Sequence, residues 1–136
     1  MANLYPYIYS NNAKEQAEFY KKALDGEIFL IKTFAELPPS NNQSMDEATK
    51  DKIMHLRLRA AGQVFFMSDS VRESVQRGNG MDLTLEYPND EDAQKAFNGL
   101  AEGGKILMPL EKQFWGSLSG MVEDPFGVRW QIATEP

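Results

Sequence analysis

The sequence predicts an α+β fold made of two copies of a βαβββ module. An order of one strand, one helix and three strands begins at Leu4, and the same order recurs from Met81. The turn Gly103-Gly104 follows the second helix as Asp25-Gly26 follows the first. Turn sequences also separate the last three strands, and Asp-Pro-Phe-Gly at 124–127 introduces the final one.

The first module starts with residues that alternate from Leu4 to Tyr9, which predicts a strand with Leu4 and Ile8 under a helix. Asn11-Asn12 offers an N-cap for a helix to about Leu24, and Asp25-Gly26 ends it. Three further strands are predicted at residues 27–34, 53–59 and 63–68.

The second module repeats this layout. Its first strand, at 81–87, alternates an apolar phase with the polar phase of Asp82, Thr84 and Glu86. A helix follows at 90–101, capped by Asn89 or Asp90, and three strands complete the module. In the last strand Trp130 falls in the apolar phase, which indicates a core residue.

The stretch from 36 to 51 is rich in Pro, Ser, Asn, Gln and Asp and lacks strand periodicity. A loop this long in a compact domain is often functional, so it could cover a pocket. The alternative is a solvated loop with a short helix at 45–50. Residues 69–80 form the linker between the modules.

Composition excludes several classes of function. The 136 residues suit one domain, and a net charge of −6 without a Lys/Arg cluster argues against a nucleic-acid partner. Without cysteine there is no disulfide or thiolate chemistry. No apolar run approaches the ~20 residues of a membrane span, and no signal peptide is evident, so we expect a soluble cytoplasmic protein with no membrane partner.

Several motifs carry a family resemblance over nearly the whole chain. The sequence resembles the PhnB-like branch of the vicinal oxygen chelate superfamily, which includes glyoxalase I, bleomycin-resistance proteins and extradiol dioxygenases. The matching segments are Tyr5-Pro6-Tyr7, Asn12-Ala13, Phe19-Tyr20, Lys52-Ile53-Met54-His55, Ser68-Asp69, and the C-terminal run of residues 103–110, 114–116 and 123–128.

The resemblance implies a single domain, 1–136, with modules at about 1–70 and 80–136. Their sheets would form a half-open mixed β-barrel with helices on the convex face and a ligand cavity on the concave face. It also implies a homodimer. Related sequences often carry a 3-demethylubiquinone-9 3-methyltransferase label, but no glycine-rich loop or parallel α/β layout for S-adenosylmethionine is present.

On this fold, strand alternation places a tyrosine-rich wall on the concave face, formed by Tyr5, Tyr7 and Tyr9. The polar concave candidates are His55, Arg57, Asp82 and Gln131. The resemblance aligns Tyr5, Phe66 or Met67, Asp82 and Gln131 with the metal-ligand positions of metal-dependent members, and a two-residue slip would replace Asp82 by Thr84. Only Asp82 is a strong oxygen ligand and Gln131 is a weak neutral one, so we expect no metal and no other cofactor, with a divalent ion at these positions as the alternative.

Two functional hypotheses that involve a ligand remain open, beside a third, a structural or interaction protein whose barrel is complete only as a dimer. The first is a metal-independent small-molecule binding protein whose pocket is lined by aromatic and polar residues, namely Tyr5, Tyr7, Arg57, Phe66, Asp82, Phe114, Trp115 and Gln131. Trp115 and Phe114 could equally fill the core. The second is a lyase, isomerase or oxygenase that uses His55 as acid–base, oriented by Asp82, Asp69 or Glu86. As an alternative, His55 could be a structural strand histidine.

Overall fold

A computed structural model describes residues 1–38 and 45–136 of the chain. The chain divides into two compact units. Unit 1 comprises Met1–Lys21 and Asp25–Val75, and unit 2 comprises Lys22–Leu24 and Gln76–Pro136. Each unit contains one four-stranded mixed sheet, and the α+β class with two βαβββ modules is confirmed.

Unit 1 has the sheet order β1-β4-β3-β2, with β1 parallel to β4 and the other pairs antiparallel. The sheet is open, and β1 and β2 are its edges. Alternation buries Ile8, Leu56 and Met67 on one face. The elements are β1 Tyr7–Ser10, α1 Ala13–Ala23, β2 Glu27–Thr33, a 3₁₀ turn at Phe34–Glu36, α2 Glu47–Lys50, β3 Ile53–Ala60 and β4 Gln63–Asp69.

Unit 2 repeats the topology as β5-β8-β7-β6, again with the first pair parallel. Its helix packs on the sheet and buries Ala93, Phe97 and Leu100 at helical spacing. The Asn89 side chain caps this helix by accepting from Asp92 N at 2.8 Å. The elements are β5 Leu83–Tyr87, α3 Asp90–Ala101, β6 Lys105–Lys112, β7 Leu118–Glu123 and β8 Arg129–Thr134.

The turn after each helix shows why the two modules share a sequence echo. Asp25 and Gly103 occupy the same left-handed conformation, with φ of 54° and 76°. The next residue in each module is a glycine that lies against the neighbouring strand. A Cβ atom on Gly26 would lie 2.3 Å from Arg59 O, and one on Gly104 would lie 2.2 Å from Glu123 O. Both positions therefore require glycine.

Side-chain oxygens join the elements of each unit at equivalent places. Asp69 accepts hydrogen bonds from Ile53 N and from Ala13 N, both at 2.7 Å, and so ties the starts of β3 and α1 to the end of β4. Thr134 Oγ1 accepts from Leu118 N at 2.9 Å at the start of β7. Asp69 is thus a structural acceptor inside unit 1.

The structure corrects several sequence-based expectations. The first strand begins at Tyr7, and Leu4, expected under the helix, is 96% exposed. The short helix of the long loop is confirmed at Glu47–Lys50, whereas residues 39–44, where a pocket cover was considered, lie outside the described residues. Trp130 is fully buried, as predicted. No helix in the described ranges is long and apolar enough to cross a membrane.

Candidate ligand site

One face of the unit 1 sheet carries a cluster of aromatic and basic side chains that includes most of the predicted concave residues. Parallel pairing sets Tyr7 beside Phe66, and antiparallel pairing sets Arg57 on the other side of Phe66. Because the alternate residues of β1, β3 and β4 are buried, the cluster lies on the opposite, solvent-facing side. We call this set of residues, Tyr5, Tyr7, His55, Arg57 and Phe66, the aromatic cluster.

The ring of Phe66 is the centre of the aromatic cluster. Tyr5 stacks on it, with ring centroids 4.5 Å apart and an interplanar angle of 27°. Tyr7 meets it edge-on at 6.2 Å, and His55 does so at 5.2 Å. The guanidinium carbon of Arg57 lies 4.4 Å from its centroid, within cation–π distance. Tyr5 and Tyr7 are 40% and 42% exposed, so the rings remain open to a ligand.

The polar atoms of the aromatic cluster form a chain of hydrogen bonds. Arg57 Nε donates to His55 Nε2 at 3.1 Å, and His55 Nδ1 lies 3.3 Å from the hydroxyl of Tyr7. Arginine can only donate, so Nε2 is the acceptor and a neutral His55 carries its proton on Nδ1. Nδ1–H then donates to the Tyr7 oxygen. The Tyr7 hydroxyl hydrogen is left free to donate to a ligand.

Electrostatics favour the neutral form of His55. Partial burial is the largest cause that lowers its pKa below the usual 6.5, and the positive charges of Arg57 and Lys32 lower it further. Lys32 lies directly across the β2–β3 pair from His55. Burial and these two cations therefore favour the uncharged imidazole.

The predicted polar residues of unit 2 form a separate contact set within that unit. Gln131 Nε2 donates to Asp82 Oδ2 at 3.0 Å. Arg129 Nε approaches Asp82 Oδ1 to 2.9 Å, yet neither of these two buried atoms makes an aligned hydrogen bond within the described ranges. Charge attraction rather than N–H direction holds this pair. The Asp82 carboxylate is thus engaged by two side chains of β8.

The pairing registers show which positions of the two units are equivalent. Tyr7 pairs with Phe66 in unit 1, and Thr84 pairs with Gln131 in unit 2. Phe66 therefore corresponds to Gln131, while Met67 is fully buried in the core. Tyr5 lies two residues before Tyr7 in unit 1, and Asp82 lies two residues before Thr84 in unit 2. Each contacts its partner across the sheet, by stacking in unit 1 and by a hydrogen bond in unit 2.

Comparisons with known proteins agree with this duplicated fold. The family described as the glyoxalase/bleomycin resistance protein/dioxygenase superfamily matches residues 4–132. The chain belongs to this superfamily. Its relative YjdN of Escherichia coli is 30% identical, and the alignment covers 95% of this chain and 92% of YjdN.

Two solved structures extend the superfamily comparison. PA1353 of Pseudomonas aeruginosa superimposes with a TM-score of 0.83 and 31% identity, covering 99% of this chain and 98% of its own. A PhnB protein from Bacillus cereus, named as a candidate 3-demethylubiquinone-9 3-methyltransferase, has a TM-score of 0.78 and 26% identity, covering 98% and 100%. The predicted PhnB-like resemblance is confirmed.

The metal-ligand positions that the superfamily resemblance implies do not suit a metal ion here. Phe66 has no donor atom, and Tyr5 stacks its ring on Phe66. Asp82 faces the Arg129 guanidinium and the Gln131 amide. Within residues 1–38 and 45–136 no group of three His, Cys, Asp or Glu side chains could hold a metal. A divalent ion would have to displace a cation from its one strong ligand.

Of the carboxylates considered as orienting partners for His55, Asp69 is held by two backbone N–H groups. The two ring nitrogens of His55 instead meet Tyr7 and Arg57. Sequence reasoning missed Lys32 as a neighbour, because only the β2–β3 register places it across from His55. His55 and Arg57 are two residues apart on one strand, and this spacing predicted that their side chains lie on the same face of the sheet.

The predicted aromatic pair lies in the loop between β6 and β7, before β7 begins. Phe114 and Trp115 pack edge to face at 4.8 Å, and they are 96% and 53% exposed. Gln113 N donates to Ser117 O, and Gly116 N donates to Gln113 O, which closes the loop tightly. Core filling, the alternative considered from sequence, is therefore wrong for both residues. Their contact with a ligand stays a prediction.

Proposed function

We propose that the protein binds a small planar organic molecule at the aromatic cluster, without a metal. The observation that carries the proposal is the half-exposed stack of Tyr5 on Phe66, which is bordered by the hydrogen-bonded Tyr7, His55 and Arg57. Rings of this kind bind planar ligands by stacking, and a few polar groups then set the orientation. Asp82, Gln131, Phe114 and Trp115 remain candidate contacts in unit 2.

The hydrogen-bond chain supports an ordered site rather than an adaptable apolar surface. Arg57 and Tyr7 hold both ring nitrogens of His55, so three side chains on two strands fix one another. Side chains that are already ordered lose less conformational entropy when a ligand binds. The free hydrogen of Tyr7 and the terminal nitrogens of Arg57 face the same aromatic surface and can select an oxygenated ligand.

A matched pair of variants tests the proposal. Phe66→Leu removes the central ring, and Phe29→Leu removes another ring of the same sheet that also contacts an arginine, at 4.8 Å from Arg59. Aromatic compounds should be screened by ligand-observed NMR in the presence of EDTA. We expect saturable binding that Phe66→Leu weakens at least about tenfold and Phe29→Leu leaves unchanged. Binding that is insensitive to Phe66→Leu, or that requires a metal, would contradict the proposal.

A second candidate function is a lyase, isomerase or oxygenase with His55 as acid–base. The lowered pKa of His55 favours it, because a neutral imidazole can take up a proton near neutral pH. Its proton lies on Nδ1 and its Nε2 lone pair is held by Arg57, so Arg57 would have to release Nε2 before His55 could take up a proton. His55→Ala should then abolish turnover of any substrate that the screen identifies. Unchanged turnover in a folded variant excludes this function.

We also propose that the protein forms a homodimer in the cytoplasm. Exposed apolar residues on the edge strand β6, Ile106 and Leu107, support pairing because open apolar edges favour association. A cysteine-free composition supports the reducing compartment. Sedimentation at micromolar concentration and cell fractionation test the two proposals. A monomer, or recovery outside the cytoplasm, would contradict the respective one.

A further inference from the structure

Two arginines on β3 have nearly the same surroundings but differ in one respect. Arg57 lies over Phe66 at 4.4 Å, and Arg59 lies over Phe29 at 4.8 Å. Arg59 also has a carboxylate partner, with Glu27 at 3.7 Å across the β2–β3 pair. Among the residues that the structure describes, Arg57 forms no ion pair. One of the two aromatic-bound guanidinium groups therefore lacks a counter-charge.

The donors of Arg57 are only partly used. Its Nε–H is donated to His55, and the four N–H bonds of its two terminal nitrogens have no partner within the described part of the chain. The Lys32 ammonium, which lies across from His55, likewise has no ion pair there. An uncompensated pair of cations is unexpected on a chain of net charge −6. Such a pair indicates a place for an anionic group.

We propose that the ligand of the aromatic cluster is a planar aromatic carboxylate, with its carboxylate on the terminal nitrogens of Arg57 and its ring against the edges of Phe66 and Tyr5. This inference rests on the proposed binding function and adds the charge class of the ligand. A carboxylate has two oxygens in one plane, which match the two parallel N–H bonds that a guanidinium presents. The Tyr7 hydroxyl can donate to the same group.

A ring conjugated to a carboxylate suits the remaining surface. Tyr5 and Arg57 lie over the two faces of the Phe66 ring, so a flat partner meets Phe66 at its edge, in a T-shaped contact. Lys32 adds a second positive charge on the far side of His55. This charge strengthens the preference for an anion over an uncharged ring of the same size.

The experiment compares 2-naphthoate with 2-naphthamide, which share one ring system and differ in charge. Each probe is titrated into the protein in the presence of EDTA. Binding is followed by protein NMR, from the signals of the arginine Nε–H groups and of the His55 ring. We expect 2-naphthoate to bind about tenfold more tightly, because one charge-assisted bidentate contact is lost in the amide. Binding of 2-naphthoate, and not of 2-naphthamide, should also raise the pKa of His55.

Arg57→Met and Arg59→Met form the matched variants. Arg57→Met should remove the preference for 2-naphthoate, and Arg59→Met should keep it. Arg57→Lys retains the charge without the paired donors, so it should give an intermediate preference and also guards against a misfolded Met variant. Equal affinity for both probes overturns the anion inference while aromatic binding stands. Failure of both probes to bind overturns the inference and the proposed function together.

Discussion

The contact between Asp124 and Trp130 allows a quantitative test of what stabilises unit 2. Asp124 is 2% exposed, and its Oδ1 accepts from Phe126 N at 2.8 Å and from Val128 N at 3.1 Å. Its Oδ2 accepts from the indole Nε1 of Trp130 at 2.9 Å. In Asp124→Asn the remaining oxygen can keep the turn, but the new amide NH₂ then faces the indole N–H, donor against donor.

The cost follows from these contacts. A hydrogen bond to a charged group contributes about 1.5–3 kcal/mol, and a buried donor left without a partner loses about as much. Asp124→Asn should therefore lower the free energy of unfolding by about 2–3 kcal/mol. Rotating the amide by half a turn would restore the indole contact but lose the turn contacts at Phe126 and Val128. Neither orientation recovers the native set.

A double-mutant cycle with Trp130→Phe separates this contact from packing. The Phe variant removes the indole donor and leaves a cavity, which costs a further ~2–3 kcal/mol. Once the donor is gone, Asp124→Asn should cost ~1–2 kcal/mol less than in the wild type, which is the coupling free energy. Urea unfolding followed by circular dichroism at pH 7 measures all four proteins. Strict additivity, or a single-variant cost below about 0.5 kcal/mol, refutes the reasoning.

Three further results are expected. Gly26→Ala should lower the free energy of unfolding by more than ~2 kcal/mol, because the new Cβ atom would meet a backbone oxygen of β3. Gly80→Ala, where a Cβ atom would lie in open space, serves as the control in the same urea assay. Ala61→Asn should raise the melting temperature. Ala61 has φ of 53° in the β3–β4 turn, and asparagine tolerates this conformation better than alanine by about 1 kcal/mol. An unchanged melting temperature would contradict the backbone strain assigned to Ala61. The NMR titration of His55, the only histidine, should give a pKa below 6.5 that rises partway in Arg57→Met, with burial and Lys32 keeping the rest of the shift. The unfolded chain protonates His55 at a higher pH than the folded chain does. The contribution of His55 to the free energy of unfolding should therefore increase as pH rises towards and through 6.5, and it should be lost as pH falls. A stability difference between the wild type and His55→Gln that changes with pH in the opposite direction would contradict this expectation.

Much of the fold could be predicted because local signals and topology agree. Helical spacing, strand alternation and the turns at Asp25-Gly26 and Gly103-Gly104 all specify the same element order. The loop at the aromatic pair 114–115 could not be predicted from residue type, because strand propensity favours Phe and Trp, while Gly116 at φ of 99° turns the chain there. Leu4 was placed wrongly because alternation was extended beyond the paired residues of β1.

The candidate site was predictable as a face but not as a set of contacts. Alternation alone places Tyr7, His55 and Arg57 on the sheet face opposite the core. Choosing Phe66 over Met67, by contrast, requires the β1–β4 register, which depends on tertiary pairing. Lys32 could not be identified as a neighbour of His55, because irregular pairing at this end of β2 and β3 breaks simple counting along the strands.

The equivalence of Tyr5 and Phe66 with Asp82 and Gln131 bears on how this protein can evolve. The equivalent positions hold an aromatic stack in one unit and an amide–carboxylate contact in the other, while the glycine turns that fix the backbone are present in both. The two units thus keep the same glycine turns but carry different side chains at this pair of positions. A library randomised at the first pair should yield many folded members, so new ligand preferences can arise in one half without rebuilding the scaffold.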